Sequence, residues 1–185
     1  MIEVSDRTIL VIVAVMVILA GAAVALQLMD TCSTSGAGDD VIIKKADDGY
    51  YLNLQAALEL AEMDTGNGTV NYRSFNFTGP QRLYIYSRAV VMIGFNDTGM
   101  IHVRNYGGPE DPYGYLDTAT LTESEYLDMA ERTYTWMESH GRSPNHVGIY
   151  VEGSPDITPD LAEKIFREVL IEYRRTGKLP EITGV

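Results

Sequence analysis

A helix that opens at Thr122 and stops at Gly141 is written a second time between Thr158 and Gly177, at a constant offset of 36 positions. In the first copy Thr122 and Glu125 stand at capping-box spacing. The threonine hydroxyl meets the backbone N–H three residues on, and the glutamate reaches back to the cap. Tyr126, Met129, Ala130, Thr133 and Met137 recur at helical spacing and make one mostly apolar face. Gly141 supplies the left-handed stop, and Pro144 forbids continuation. In the second copy Phe166 falls under Ala130, Leu170 under Tyr134, Gly177 under Gly141 and Pro180 under Pro144. A basic residue follows each glycine, Arg142 and Lys178. A tandem duplication of this period predicts one supersecondary unit stacked on its copy. Two short amphipathic helices bury little alone, so both are expected to pack on the sheet of the preceding region.

That region changes period. Residues 41–45 read as a short strand, Asp47, Asp48 and Gly49 as a turn, and Leu54 to Met63 as a helix. Asp64 to Thr69 reads as a loop. Alternation over 70–77, 83–93 and 101–104 predicts further strands, with a hairpin turn at 96–99. The expected fold class is therefore α+β: a small antiparallel sheet with one helix, then the two repeat helices. Residues 107–114, GGPEDPYG, read as the joint before the repeats.

At the other end, Ile9 to Leu26 carries no charge or strong polar group, and Gln27, Leu28 and Met29 extend it. An apolar stretch of that length suffices to cross the hydrocarbon core of a bilayer. Residues 1–29 are expected to form a transmembrane anchor. The alternative is a cleaved signal peptide, because Ala23, Val24 and Ala25 satisfy the small-x-small rule. Residues 30–40 read as a flexible tether containing the single cysteine, Cys32, whose only disulfide would join two chains. The domain plan is anchor 1–29, tether 30–40, α+β domain 41–114, and a repeat region 115–185 holding copies at 121–147 and 157–183. The net charge of −12 argues against nucleic acid, which needs a basic footprint.

The helix that opens at Leu121 and Thr122 contains Tyr126, Leu127, Asp128, Met129 and Ala130. It ends in Gly141, Arg142, Pro144, Asn145 and Val147. This pattern resembles the pseudomurein-binding repeat of methanogenic archaea. The second copy departs from it, with Glu181 for the asparagine and Thr183 for the valine. The resemblance implies a protein held to pseudomurein, the archaeal counterpart of peptidoglycan, as cell-surface proteins and wall-cleaving enzymes of this family are. With no catalytic constellation in the sequence, the expected role is a non-catalytic, membrane-anchored cell-surface protein. Two other roles are a structural subunit of a surface assembly, pilin-like or surface-layer-associated, and an accessory of a wall-processing enzyme. With the apolar segment, the implied location is the cell membrane with the C-terminal part outside, or the wall after signal cleavage. A homo-oligomer is compatible with either.

Tyr and Trp offer a flat apolar face and a polar tip, and the chain has 12 Tyr and 1 Trp. Tyr134 and Trp136 lie off the apolar stripe of the repeat helix. Asn145 and His146 follow Pro144 on a fixed turn, and Arg142 and Lys178 are its basic residues. These six are the candidates for wall contact. Acidic residues such as Glu131 and Glu138 would add salt-screened attraction to the lysine of pseudomurein peptide stems. Asn67, Asn76 and Asn96 head N-x-Thr sequons and are glycosylation candidates. No catalytic constellation, metal site or cofactor motif is apparent. Cys32 lacks a folded context to activate it, and His102, His140 and His146 have no metal-ligand spacing.

Overall fold

The computed structural model describes residues 40–66, 68–150 and 155–185. Val41–Val185 is one compact unit, separate from Met1–Asp40. It opens with a hairpin of β1 (Ile43–Ala46) and β2 (Gly49–Leu52), turning at Asp47 and Asp48. Helix α1 (Leu54–Met63) follows at once, capped by Asn53, whose side-chain oxygen accepts from the Ala56 N–H at 3.1 Å. β3 (Val70–Tyr72) and β4 (Phe75–Phe77) form a second small hairpin. Helix α2 (Gly79–Gly94) and strand β5 (Ile101–Arg104) complete this part. β5 pairs antiparallel with β2, so the first sheet runs β1–β2–β5. Gly49 is obligatory in it, because a Cβ there would lie 1.8 Å from the Val103 carbonyl oxygen.

The duplication then appears as two strand–helix–strand units. The first is β6 (Thr120–Thr122), α3 (Glu123–His140) and β7 (Val147–Gly148). The second is β8 (Asp156–Ile157), α4 (Pro159–Thr176) and β9 (Ile182–Gly184). Both helices start at a threonine cap and stop at a left-handed glycine, Gly141 at φ 69° and Gly177 at φ 72°. The strands cross between the copies. Leu121 pairs with Thr183 and Val147 with Ile157, each unit supplying an outer strand to the other. Equivalent positions exchange, so the pairing has an internal two-fold relation. Leu121 and Ile157 are both buried at these junctions. The Tyr126 hydroxyl adds a tie, donating to the Pro180 carbonyl at 2.8 Å.

Helix α2 is the centre. It packs on α3 and on α4, and touches α1 and β5 as well. Nearly every residue from Gln81 to Met92 is buried. The expected fold is corrected here. The stretch 83–93 is helical rather than extended, and the repeat helices rest on α2 rather than on the sheet. A helix enclosed by other elements is apolar on several faces, so its sequence loses the 3.6-residue signal. Its start was nonetheless written locally: Thr78 and Gln81 form a capping box, with Pro80 in the first turn. The run 70–77 is likewise a hairpin and not one strand, with Arg73 and Ser74 at positive φ in its turn. The expected hairpin turn at 96–99 instead ends a helix, with Asn96 at φ 52°. The expected transmembrane helix is also corrected as a part of this fold. Among the described residues no helix is long and apolar enough to cross a membrane. Residues 9–26, the tether up to residue 39, and Cys32 lie outside the described residues.

A charge cluster is sealed where α1, α2 and α4 meet. Arg82 is 3% exposed, and its Nε lies 2.8 Å from Asp64 Oδ2 and 2.8 Å from Glu163 Oε1. The Tyr86 hydroxyl donates to Asp64 at 2.9 Å. One guanidinium faces two carboxylates, so only one of them is fully neutralised. Burial pushes the Glu163 carboxyl up to about 7 against the pull of Arg82. Folded protein thus keeps a proton on Glu163 that the unfolded chain releases near its ordinary 4.5. Stability from this group is present at low pH and declines as pH rises from about 4.5 to about 7. Glu163→Gln is expected to flatten the pH dependence of the melting temperature in that window relative to wild type. Parallel melting curves at each pH would contradict this.

Candidate functional site

A cavity with a volume near 790 Å³ lies beside α3. Trp136, Arg142, Asn145 and His146, four of the six sequence candidates, line it together with Tyr113 and Glu131. The other two lie elsewhere. Tyr134 is covered by Arg88 of α2, whose guanidinium carbon stands 5.1 Å from the ring centroid. Lys178 sits exposed on the turn of the second unit, where its N–H donates to the Thr176 hydroxyl.

Helical spacing builds one flank. Trp136 and His140, four residues apart on α3, stack with centroids 3.9 Å apart and planes 5° apart. The Arg142 guanidinium carbon is 5.8 Å from the Trp136 ring centroid. Its Nη1 also meets Glu110 Oε1 at 2.8 Å. Arg132 pairs with Asp128 at 2.8 Å and donates to the Ile149 carbonyl at 3.1 Å. Both arginines of the cleft thus face a carboxylate, Arg142 through an ion pair whose Nη1 lacks hydrogen-bond geometry.

The joint before the repeat, residues 107–115, contributes Tyr113 to the lining. It is laced to the turn after α3. The Gly107 N–H donates to the Gly141 carbonyl at 3.0 Å, and the Ser143 N–H to the Gly107 carbonyl at 2.9 Å. Asn145 Oδ1 accepts from the N–H groups of Glu110 at 2.9 Å and Asp111 at 3.1 Å. The Asn145 carbonyl accepts from the Tyr113 N–H at 2.9 Å. Asn145 thus shapes the site by holding this loop, and two backbone donors on its oxygen turn its Nδ2 donors away from them. Tyr113 lies against His146, with centroids 4.5 Å apart, and beside Tyr115 at 6.1 Å. Burial, and after it the negative charge of Asp156, raises the Tyr113 phenol above its ordinary value, so it remains an O–H donor.

Tyr113 was missed in the sequence because the joint reads as turn residues alone. The available signal was an aromatic between Pro112 and Gly114 in a loop that abuts a repeat. Gly114 fixes its placement: a Cβ there would come 2.5 Å from the Thr158 nitrogen. Gly114→Ala is expected to cost roughly 1–3 kcal/mol by forced displacement of this loop. An unchanged urea midpoint would contradict it.

The second unit has the scaffold without the lining. Glu172 stands where the first unit has Trp136, Thr176 for His140, Lys178 for Arg142, Glu181 for Asn145 and Ile182 for His146. Of the sequons, Asn76 and Asn96 are exposed, while Asn67 lies outside the described residues. His102 belongs to the sheet, stacked on Tyr51 and 2.9 Å from Asp48 Oδ1. Among the described residues no group of His, Cys, Asp and Glu is placed to hold a metal ion.

The architecture is a strand-exchanged pair of repeats with a ring-lined cleft on one member. Residues 117–149 match the family model of the pseudomurein-binding repeat, covering β6, α3 and β7. The match is to a partial segment of the chain, a repeat whose family is described by its binding to pseudomurein. No curated protein and no solved structure matches the chain.

Proposed function

We propose that this protein binds pseudomurein non-catalytically at the cell surface, through the cleft of its first repeat. One observation carries the reading. Trp136, Arg142, Asn145 and His146 all fall inside the segment that matches the repeat family, and all line one cavity beside α3. A concave site with ring faces and a few fixed polar groups is the common form of a binding site. The cleft residues supply contact surface and hydrogen bonds; the reading assigns none of them a nucleophile's or base's role. The protein's location follows from its ligand, at the wall outside the cytoplasmic membrane.

The test is co-sedimentation of the full chain, in non-ionic detergent, with purified pseudomurein sacculi. Bacterial murein and a tube without wall serve as controls. Selective pelleting with pseudomurein, with no peptide or amine released from the wall, is expected. Failure to pellet would overturn the binding role, and released wall fragments would overturn the non-catalytic one.

A further inference from the structure

We infer that the cleft takes a sugar ring of the wall's glycan strand. We also infer that Tyr113, with Tyr115 beside it, forms part of the binding surface. This rests on the wall-binding reading and goes past the matched repeat, since both tyrosines precede residue 117.

The ring content of the site is the first argument. Tyr113, His146 and Trp136 line the cleft. Tyr115 stands beside Tyr113, and His140 stacks on Trp136, both outside the lining. Tyr115 is 77% exposed and Tyr113 is 41% exposed, although both sit on a loop held by backbone hydrogen bonds. Exposed aromatics on a rigid loop present area at low ordering cost. A pyranose ring has an apolar C–H face with hydroxyls at its rim. That face matches an aromatic π-surface, whose negative quadrupole attracts C–H edges.

Charge is the second argument. Glu131 is the one carboxylate among the lining residues, and it is exposed. A lysine-bearing peptide stem would meet a single solvated carboxylate there, whose attraction salt screens. Glu110 and Asp128 stand outside the lining and face Arg142 and Arg132. The uncharged groups suit sugar hydroxyls: the Thr135 hydroxyl and the Asn145 amide donors, with the Tyr113 phenol, which meets His146 Nε2 at 3.4 Å, beside them. A cavity near 790 Å³ has room for a ligand of disaccharide size.

Trp136 is the only tryptophan of the chain, so its fluorescence reports this site alone. The full chain is titrated with the two halves of the wall: glycan strands freed of peptide, and the released peptide stems. Glycan strands are expected to shift Trp136 emission saturably, and peptide stems are not. Tyr113→Ala is expected to weaken sacculus and glycan binding about ten-fold, with Tyr113→Phe staying within about three-fold. Raising salt from 0.1 to 1 M should change wild-type affinity by less than about three-fold.

A shift with peptide stems but not with glycan would overturn the inference. So would wild-type sacculus binding by Tyr113→Ala. Either result, with wild-type protein still pelleting on sacculi, leaves the wall-binding reading standing. Loss of wild-type pelleting would remove both.

Discussion

Arg82→Met is expected to remove about 3–5 kcal/mol of stability, the cost of stripping the cation from a buried ion cluster. Asp64 and Glu163 would be left in a sealed junction facing each other. The carbonyls of Gly68 and Phe77, which accept from Arg82 Nη1, would lose their donor. A domain of this size holds about 5–15 kcal/mol in all, so the loss is a large share. With a urea slope of about 2 kcal/mol/M, the unfolding midpoint should drop by roughly 2 M at unchanged slope. Adding Glu163→Gln should recover part of that loss, because one of the two stranded carboxylates is then neutral. Equal midpoints for wild type and Arg82→Met would show that the cluster contributes nothing. The cluster joins α1, α2 and α4, so its failure would also loosen the support beneath both repeats.

Trp136→Ala is expected to weaken binding to pseudomurein sacculi by about 30-fold or more, equivalent to at least about 2 kcal/mol. Large aromatic anchors dominate binding surfaces because they remove much apolar area from water and meet it with a flat, rigid face. Here the truncation also frees His140 from its stack and takes the aromatic support from Arg142. Trp136 is only partly buried, and the apolar stripe of α3 runs through Tyr126, Met129, Ala130 and Met137 instead. The fold should therefore survive, with an unchanged far-ultraviolet circular dichroism spectrum. Folded protein with wild-type affinity would exclude Trp136 from the site.

The repeats were legible in sequence because their signals are local. Thr122 with Glu125, Thr158, Gly141 and Gly177 fix where each helix starts and stops without any help from the rest of the chain. Helix α2 was not, because Leu83, Ile85, Ala89 and Val91 are buried from several sides and imitate strand alternation. Length and the Thr78–Gln81 box were the better guides, and they pointed to the helix. The exchange of strands between copies depends on pairing partners far apart in sequence, Leu121 with Thr183 and Val147 with Ile157. No local pattern announces it.

The candidate site divides in the same way. Trp136 was singled out because it lies off the apolar stripe of α3, and Arg142, Asn145 and His146 because they follow the helix stop; all four line the cavity. Tyr134 was drawn off by Arg88 of α2, a contact across elements. Lys178 lies on the copy that kept the scaffold and lost the rings. Tyr113 joins through backbone hydrogen bonds to a turn more than thirty residues away, and such a link leaves no trace in composition. For Asn145, the fixed turn was read correctly. Its oxygen serves the Glu110 and Asp111 N–H groups, and its amide donors are what remains for a ligand.

The account's central claim is that wall binding resides in the cleft of the first repeat. Binding isotherms on pseudomurein sacculi test it most directly, measured side by side for wild type, Trp136→Ala and Glu172→Ala. Glu172 occupies the position of Trp136 in the second unit, where it pairs with Arg175 on an open surface. The account predicts a collapse of affinity for Trp136→Ala and wild-type affinity for Glu172→Ala. Equal losses in both, or no loss in either, would contradict it.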